Sequence, residues 1–132
     1  MNRNSGFSLV ELMIVIVIIG VLAAVAVPIY NNNVMKAKMS EADAALGSIR
    51  TQLRVYYGEN GTYPTEASAV DVVGASWNDI NTNELDGKNF SDSSYTYLSA
   101  DGAAYTITCK AGAILEADRT LNQAGTLAGG LD

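Results

Sequence analysis

A single carboxylate stands at the edge of a long apolar stretch near the start of the chain. Leu12–Val27 is a run of sixteen residues without a polar side chain, bounded by Pro28, and Glu11 precedes it directly. A charged side chain in hydrocarbon costs roughly 2.5–3.5 kcal/mol on insertion scales, so such groups usually have a partner and a role. We therefore expect Glu11 to form an ion pair, and its partner is what a proposed function must first explain.

The residues that most enzymes use are scarce in this chain. It has no histidine and a single cysteine, Cys109. These counts exclude Ser–His and Cys–His catalysis, imidazole metal ligands and an intrachain disulfide. The sequence also contains no nucleotide-binding loop, nucleophile–base pair or paired-carboxylate motif, so it predicts that the protein is not an enzyme. Cys109 alternates with Tyr105 and Ile107 in a strand-like run, which favours a buried thiol over an intermolecular bridge.

The segment Gly-Phe-Ser-Leu-Val-Glu-Leu at residues 6–12, followed by a long Ile/Val/Ala run, resembles the N-terminus of type IV pilins and the related pseudopilins. The resemblance implies that residues 1–6 are a leader, cut after Gly6 by a prepilin peptidase. The same enzyme would methylate the new N-terminus, Phe7. The resemblance also implies that the Glu11 carboxylate pairs with the positive amine of an adjoining Phe7 when subunits assemble.

Two further positions belong to the resemblance. Gly20 and Pro28 fall where many family members have a helix-loosening glycine and a kinking proline. Because proline removes a backbone hydrogen bond and clashes one turn back, we expect a kink or break near Ala24. Whether these residues only bend a membrane anchor, or let the segment between them stretch in a filament, stays open at this point.

An ordinary secretory signal is the alternative for the same segment. Ala24-Val25-Ala26 is a passable cleavage site that would leave Val27 as the mature N-terminus, and Arg3 could serve as its basic region. Glu11 is wrong for the apolar part of a signal peptide, however. The 21 residues from Phe7 to Val27 also suit a bilayer span, which needs about 20 residues. Processing after Gly6 is the favoured interpretation.

After Pro28 the apolar pattern becomes amphipathic without an intervening loop. A stripe at three- and four-residue spacing predicts a helix with one buried face; its members are Ala42, Leu46, Ile49, Leu53 and Tyr56. The predicted helix therefore comprises an apolar half, residues 7–27, and an amphipathic half, residues 28–57, and it ends at Gly58. Only the second half has a face suited to a globular core within the same chain.

Residues 58–132 are expected to form a small globular head. A turn-rich connector covers residues 58–94, with a short helix at 66–72 and four core anchors, Trp77, Ile80, Leu85 and Phe90. Two Tyr/Thr-rich runs, Ser94–Ala100 and Ala103–Lys110, flank Asp101-Gly102 and predict a β-hairpin. In residues 112–132, Thr120-Leu-Asn and Gly125-Thr-Leu are candidates for a further strand, and residues 115–119 for one helical turn. Many type IV pilins close this region with a disulfide, which the lone Cys109 does not allow here.

Charge and side-chain type leave three weaker interpretations of the surface. The formal net charge of −6 predicts a solvated extracellular face and argues against direct binding of nucleic acid.

Five connector acids, Asp71, Asp79, Glu84, Asp86 and Asp92, could reflect the calcium site of major pseudopilins, but their spacing matches no calcium loop and solvated acids are the simpler interpretation. Aromatic residues along the helix, Phe7, Tyr30, Tyr56 and Tyr57, are expected to fill packing positions rather than to conduct electrons.

Together these observations predict an α+β fold, with a long N-terminal helix packed against a small antiparallel sheet. The implied function is that of a structural subunit of a type IV pilus-like filament. Its partners would be further copies of itself, the prepilin peptidase, the inner-membrane assembly machinery and, before assembly, the membrane. The expected location is the inner membrane as a precursor and then an extracellular pilus. The alternatives are the major pseudopilin of a periplasmic type II secretion pseudopilus, and a monomeric membrane-anchored or secreted binding domain.

Overall fold

A computed structural model describes residues 6–131, so residues 1–5 of the predicted leader lie outside the described residues. The described chain contains one long α-helix followed by an antiparallel sheet of five strands. The elements are α1 (Leu9–Asn60), β1 (Glu66–Asp71), a short 3-10 helix (Asp92–Ser94), β2 (Tyr95–Ser99), β3 (Thr106–Cys109), β4 (Arg119–Asn122) and β5 (Leu127–Gly129). Each strand pairs with its neighbour in sequence. The expected α+β fold is confirmed.

The chain divides into two compact units, with the boundary between Val34 and Met35. The described part of the first unit consists of Gly6–Ser8 and the N-terminal portion of α1, where the side chains are exposed. The second unit contains the remainder of α1, the connector and the whole sheet. Within residues 6–131, every buried side chain lies in the second unit.

The course of α1 differs from the prediction at two points. Its helical assignment continues through Pro28, so the expected break is absent, while a bend without loss of helix stays a prediction. The helix also ends at Asn60 rather than before Gly58. Gly61 adopts a positive φ of 76° and its N–H donates to the Tyr57 carbonyl at 2.8 Å, so this glycine is the terminating residue. Gly58 and Gly61 both suit a helix end by local rules, and the predicted end at Gly58 is wrong.

The predicted helical stripe forms one side of the core. Ala42, Leu46, Ile49 and Leu53 are completely buried, and Tyr56 is half-buried. They share a single apolar cluster with inward-facing residues of the sheet, among them Tyr95, Tyr97, Ile107, Cys109 and Leu121. The predicted anchors also join this core, Phe90 fully and Trp77, Ile80 and Leu85 in part. A face of α1 and a face of the sheet therefore bury one another, which is how a head of this size obtains a core.

Cys109 lies in this core as predicted. Its thiol is fully buried and free. Burial raises the pKa of the Cys109 thiol to about 11, so the thiol stays protonated at neutral pH. The residue therefore acts as a small apolar side chain.

The predicted hairpin is confirmed, with shorter strands and a longer loop than expected. Tyr97 pairs with Ile107, and the loop extends over residues 100–105. Gly102 has a φ of 76°, and its N–H donates to the Ser99 hydroxyl at 3.1 Å. Asp101 accepts from the Ala103 N–H at 3.0 Å. The Asp-Gly pair thus lies in the turn, and the Ser99 hydroxyl, which also donates to the Ala104 carbonyl at 2.6 Å, bonds across the loop.

Two local predictions were wrong. Residues 66–72 were expected to be helical, yet Glu66–Asp71 is the edge strand β1, because pairing with β2 overrides the local preference of an alanine-rich segment. The helical turn expected at 115–119 lies earlier, where the Leu115 N–H donates to the Ala111 carbonyl at 3.2 Å, and Arg119 begins β4. The strand expected near Thr120 is confirmed as β4, and β5 follows at Leu127–Gly129.

Glu41 of α1 holds the connector against the helix. Its carboxylate accepts from the Asn89 backbone N–H (3.1 Å), the Asn89 side-chain amide (2.7 Å) and the Phe90 N–H (3.2 Å). A side chain at Gly87 would collide with this carboxylate and displace it from its hydrogen bonds to Asn89 and Phe90. Partial burial acts to raise the pKa of Glu41, but the hydrogen bonds from Asn89 and Phe90 outweigh it, and the net pKa lies below the ordinary value of 4.5.

Asp43, two residues further along α1, holds the C-terminal strands. Arg119 of β4 donates to Asp43 through Nε (2.7 Å) and a terminal nitrogen (3.1 Å), and through its other terminal nitrogen to the Gly129 carbonyl (2.9 Å). The Gly130 carbonyl also accepts from the Glu116 N–H at 3.0 Å. A two-pronged ion pair and strand pairing therefore fix the C-terminal segment without a disulfide.

We expect Glu41→Gln to lower the free energy of unfolding at pH 7 by about 1–2 kcal/mol, because charge-assisted hydrogen bonds become neutral ones. The folded pKa of Glu41 is depressed, so its stabilisation is fully present above 4.5 and is lost as the pH falls through the lower folded value. The difference between variant and wild type should shrink accordingly in denaturant titrations of the detergent-solubilised chain. Glu59→Gln, at an exposed site on the same helix, is the control. An equal effect of both variants would contradict the assignment.

We expect Arg119→Ala to release β5 while leaving the central hairpin intact, because one guanidinium joins α1, β4 and the Gly129 carbonyl. Hydrogen exchange should become faster at Leu127–Gly129 and stay slow in β2 and β3. A double-mutant cycle with Asp43→Asn should give a coupling energy of about 1 kcal/mol for this half-buried pair. Arg54→Ala, at an exposed position of α1, is the matched control. Unchanged exchange at β5 would show that strand pairing alone holds the C-terminal segment.

Candidate assembly site

The N-terminal part of α1 presents an apolar surface with no cover from the described chain. We call residues 7–27 the apolar segment. Its large side chains are exposed, from 45% at Val15 to 87% at Phe7, whereas those of the head core are buried. An 18-residue window of α1 has a mean hydropathy of 3.1, so the helix is long and apolar enough to cross a membrane. Such a surface requires lipid or other protein around it.

Ser8 and Glu11 cap the N-terminus of α1 through two reciprocal hydrogen bonds. The Ser8 hydroxyl accepts from the Glu11 N–H at 3.2 Å, and the Glu11 carboxylate accepts from the Ser8 N–H at 3.1 Å. This reciprocal arrangement is a capping box, which satisfies two of the backbone donors that every helix start leaves free. The negative carboxylate also lies at the positive end of the helix dipole.

The capping box gives Glu11 a hydrogen-bond partner within its own chain, although not the ion pair that was expected from the sequence. That partner is the Ser8 N–H, three residues away. It is a neutral donor, however, and both residues are exposed, so one carboxylate oxygen remains open to a cation. The structure therefore presents Glu11 as a positioned anion at the start of the apolar segment.

The predicted cleavage point lies just outside the helix. Gly6 and Phe7 are exposed and non-helical, and α1 begins at Leu9. A peptidase requires an accessible bond that is not held in a helix, and the Gly6–Phe7 bond meets both conditions. No heavy atom lies within 4 Å of a Cβ built on Gly6, so the described chain itself gives no packing reason for glycine there.

Gly20 and Pro28 likewise have no role in packing within the described chain. A Cβ built on Gly20 would meet nothing within 4 Å, and Pro28 lies inside a helical stretch whose neighbouring residues are exposed. Glycine and proline both weaken a helix. Any benefit they confer must therefore come from a partner or from a state other than the isolated chain.

The connector acids do not converge on a calcium site. Asp92 accepts from the backbone N–H groups of Asn83 and Leu85, Asp86 accepts from the Asp92 N–H, and Glu84 accepts from Asn81. Residues 6–131 contain no group of three or more His, Cys, Asp or Glu side chains arranged to hold a metal. These carboxylates thus order turns, and the residues present do not fit a calcium cage.

The aromatic residues singled out along the helix are not brought together either. Of Phe7, Tyr30, Tyr56 and Tyr57, only Tyr57 makes a ring contact in the described chain, with Tyr63 at 4.7 Å between ring centroids. The continuous aromatic contacts lie instead within the head, from Tyr63 through Tyr105 and Tyr97 to Trp77. These rings pack the core, as expected for aromatic side chains.

Sequence reasoning missed three positioned side chains. The role of Ser8 was detectable, because Ser-x-x-Glu before an apolar run is the sequence pattern of a capping box. Glu41 and Asp43 carry no such signal. Their partners lie 48 and 76 residues away in sequence, so only the folded chain reveals them.

Comparison with known proteins agrees with this geometry. Residues 1–27 match the family model of the prokaryotic N-terminal methylation motif. The fimbrial protein EcpC of Eikenella corrodens is 43% identical over 69 residues, which are 52% of this chain and 45% of that protein. The type IV major pilin PilE of Neisseria gonorrhoeae is 39% identical over 73 residues, 55% of this chain and 44% of the pilin. The type II secretion system core protein G of Aeromonas hydrophila is 38% identical over 72 residues, 54% of this chain and 50% of that protein.

The chain spans about half the length of these curated relatives. The relatives are structural rather than catalytic proteins, in agreement with the absence of enzymatic motifs from the sequence. The matched motif contains Gly6, Phe7 and Glu11, the same residues that precede and begin α1. The first 27 residues therefore match the prokaryotic N-terminal methylation motif, and over about half of its length the chain is similar to type IV pilins and to a type II secretion pseudopilin.

Proposed function

We propose that this protein is a structural subunit of a type IV pilus-like filament, assembled through its N-terminal helix. The observation that carries the proposal is the apolar segment, which is exposed along its length and has one positioned carboxylate, Glu11, at its start. The capping box would also serve a simple membrane anchor, but it uses only one carboxylate oxygen of Glu11 and leaves the other open to a cation. A span that must leave the bilayer and dock among identical copies requires a polar contact to set its register.

The proposed pathway begins with a single-span precursor in the inner membrane. Residues 1–6 form the leader, which the prepilin peptidase removes after Gly6, and Phe7 becomes the methylated N-terminus. Residues 7–27 then move from lipid into the centre of an extracellular filament, and residues 58–132 form its acidic surface. The amphipathic half, residues 28–57, belongs to the head through its buried stripe. Gly20 and Pro28 would loosen the helix during this transfer.

Cleavage creates the partner that Glu11 lacks in the precursor. Before cleavage, residue 7 contributes only an amide, and the Glu11 carboxylate bonds to the neutral Ser8 N–H. After cleavage, Phe7 carries a positive amine, and the amine of an adjoining subunit can bind the open oxygen of Glu11. Removing one partner of such a buried pair costs about 3–5 kcal/mol, because the other charge is left uncompensated. Docking in the wrong register would incur a similar cost.

A second candidate is the major pseudopilin of a type II secretion system, whose pseudopilus is periplasmic. The similarity to the type II secretion core protein G supports it, as does the Gly-x-Tyr-Pro-Thr phrase at residues 61–65, which resembles the corresponding loop of pseudopilins. The lack of a calcium-like cluster in the described head favours the pilus instead. Shearing cells of the source organism and imaging the supernatant would separate the two, because only pili give long surface filaments.

The N-terminus of the mature chain tests the processing step. We expect intact-mass and peptide analysis to show a chain that begins at Phe7 and carries one methyl group on its amine. Replacing Gly6 by Val should leave an uncut precursor in the membrane fraction, because the peptidase must accommodate residue 6 next to the scissile bond. A mature chain beginning at Val27 would instead establish a secretory signal and a monomeric secreted domain.

The role of Glu11 is tested by the near-isosteric Glu11→Gln. The amide retains a hydrogen bond to the Ser8 N–H but has no negative charge. We expect normal membrane insertion and normal cleavage after Gly6, with filament yield in the sheared fraction lowered at least about tenfold if the missing pair is worth more than ~1.4 kcal/mol. Ser8→Ala, which removes the hydroxyl but keeps the carboxylate, should assemble much better. Normal filaments from Glu11→Gln would refute the charge-pair account.

A further inference from the structure

A polar groove lies in the head between the last turns of α1 and the connector. Its cavity measures about 260 Å³. The helix contributes Gln52, Tyr56 and Glu59 to its lining, and the connector contributes Ser76, Trp77 and Asp79. The Trp77 ring is fixed by contact with Tyr97, whose ring centroid is 4.8 Å away. The groove is therefore lined by an aromatic ring that packs against the core and by two exposed carboxylates, Glu59 and Asp79.

The two carboxylates of the groove are unused. In the part of the chain that the structure describes, neither Glu59 nor Asp79 takes part in a hydrogen bond or an ion pair. No lysine or arginine is among the residues that line the groove. An uncompensated double negative charge beside aromatic rings is complementary to a cationic side chain, since carboxylates and aromatic faces both attract cations.

The same chain carries a matching basic feature on the other side of α1. We call Lys36 and Arg54 the basic face. The two residues lie five turns apart at about 3.6 residues per turn, so they occupy the same side of the helix, roughly 160° around its axis from Tyr56. Both are exposed. The described chain contains one ion pair, Arg119–Asp43, and these cations are not part of it.

Because the groove and the basic face lie on opposite sides of one helix, they cannot meet within a single chain. Two different surfaces of one subunit that fit each other form a heterologous contact, and repetition of such a contact generates an open helical filament. We propose that the groove lined by Tyr56, Glu59, Trp77 and Asp79 receives a cationic side chain of the basic face from a second copy of this chain. The inference rests on the proposed filament function, and it assigns one contact between the globular parts of neighbouring subunits in that filament.

Cysteine cross-linking in assembled filaments tests the contact. Asp79→Cys is combined in one chain with Arg54→Cys or with Lys36→Cys, and the sheared filaments are treated with a thiol-specific bismaleimide cross-linker about 10 Å long and run on a denaturing gel, because a contact through a long cationic side chain holds the two Cα atoms too far apart for a direct disulfide. We expect a ladder of covalent multimers from at least one pair. The matched control, Asp79→Cys with Lys110→Cys, uses an exposed cation outside the basic face and should remain monomeric. The native Cys109 does not compete, because it is fully buried.

The outcomes separate this inference from the proposed function. If wild-type filaments form but both Asp79→Cys double variants remain monomeric, the proposed contact is overturned and the filament function stands. The same conclusion follows if multimers are equally abundant in the control. A wild-type chain that forms no filaments would overturn both. If a cysteine pair blocks assembly, charge reversal decides: Asp79→Lys should lower filament yield about fivefold or more through like-charge repulsion, and adding Arg54→Glu or Lys36→Glu should restore it. Failure of both second changes to restore assembly would also overturn the contact.

Discussion

The apolar surface of residues 7–27 is the constraint on which the rest of the molecule depends. A helix of this kind cannot bury itself, because a single helix has no second layer to pack against. The chain therefore needs either lipid or further copies of the same surface. In hydrocarbon every backbone donor and acceptor must be satisfied internally, and the capping box of Ser8 and Glu11 does this at the vulnerable beginning of the helix. The same carboxylate retains an open oxygen for a cation.

The second half of the helix, in contrast, buries its apolar face against the sheet of its own chain. Its stripe is fully buried, and the two carboxylates that flank the start of that stripe, Glu41 and Asp43, each hold a distant part of the head. Glu41 fixes the connector and Asp43 fixes the C-terminal strands through Arg119. A short stretch of one helix thus organises most of a small head that has no disulfide.

The extent to which the fold could be predicted follows from the range of the interactions. Local sequence patterns predict the apolar segment, the stripe from Ala42 to Leu53 and the central hairpin, and the structure confirms all three. The edge strand β1 was missed because its pairing with β2, and not its own composition, makes it a strand. The helix end was misplaced by three residues because both Gly58 and Gly61 satisfy the local rule. The hydrogen bonds of Glu41 and the ion pair of Asp43 join residues far apart in sequence, so no local pattern predicts them.

The candidate site likewise combines features that local sequence predicts with features that only the folded chain creates. Gly6, Phe7 and Glu11 were identifiable because their spacing is a local motif, and the structure places them together at the exposed start of α1. The Ser8 hydrogen bonds were equally local and could have been found from the Ser-x-x-Glu pattern. The groove beside Trp77 could not, since it is formed where the end of the helix meets a connector of irregular structure. The proposed function is thus partly encoded locally, in processing and register, and partly dependent on the folded head.

The most direct test of this account is the structure of the assembled filament at a resolution that shows side chains. We expect the Glu11 carboxylate to lie within about 4 Å of the Phe7 amine of an adjoining subunit, the distance of an ion pair. The apolar segments should surround the filament axis, shielded from water. A filament in which Glu11 contacts only Ser8 of its own chain, with every neighbouring Phe7 amine paired elsewhere, would contradict it.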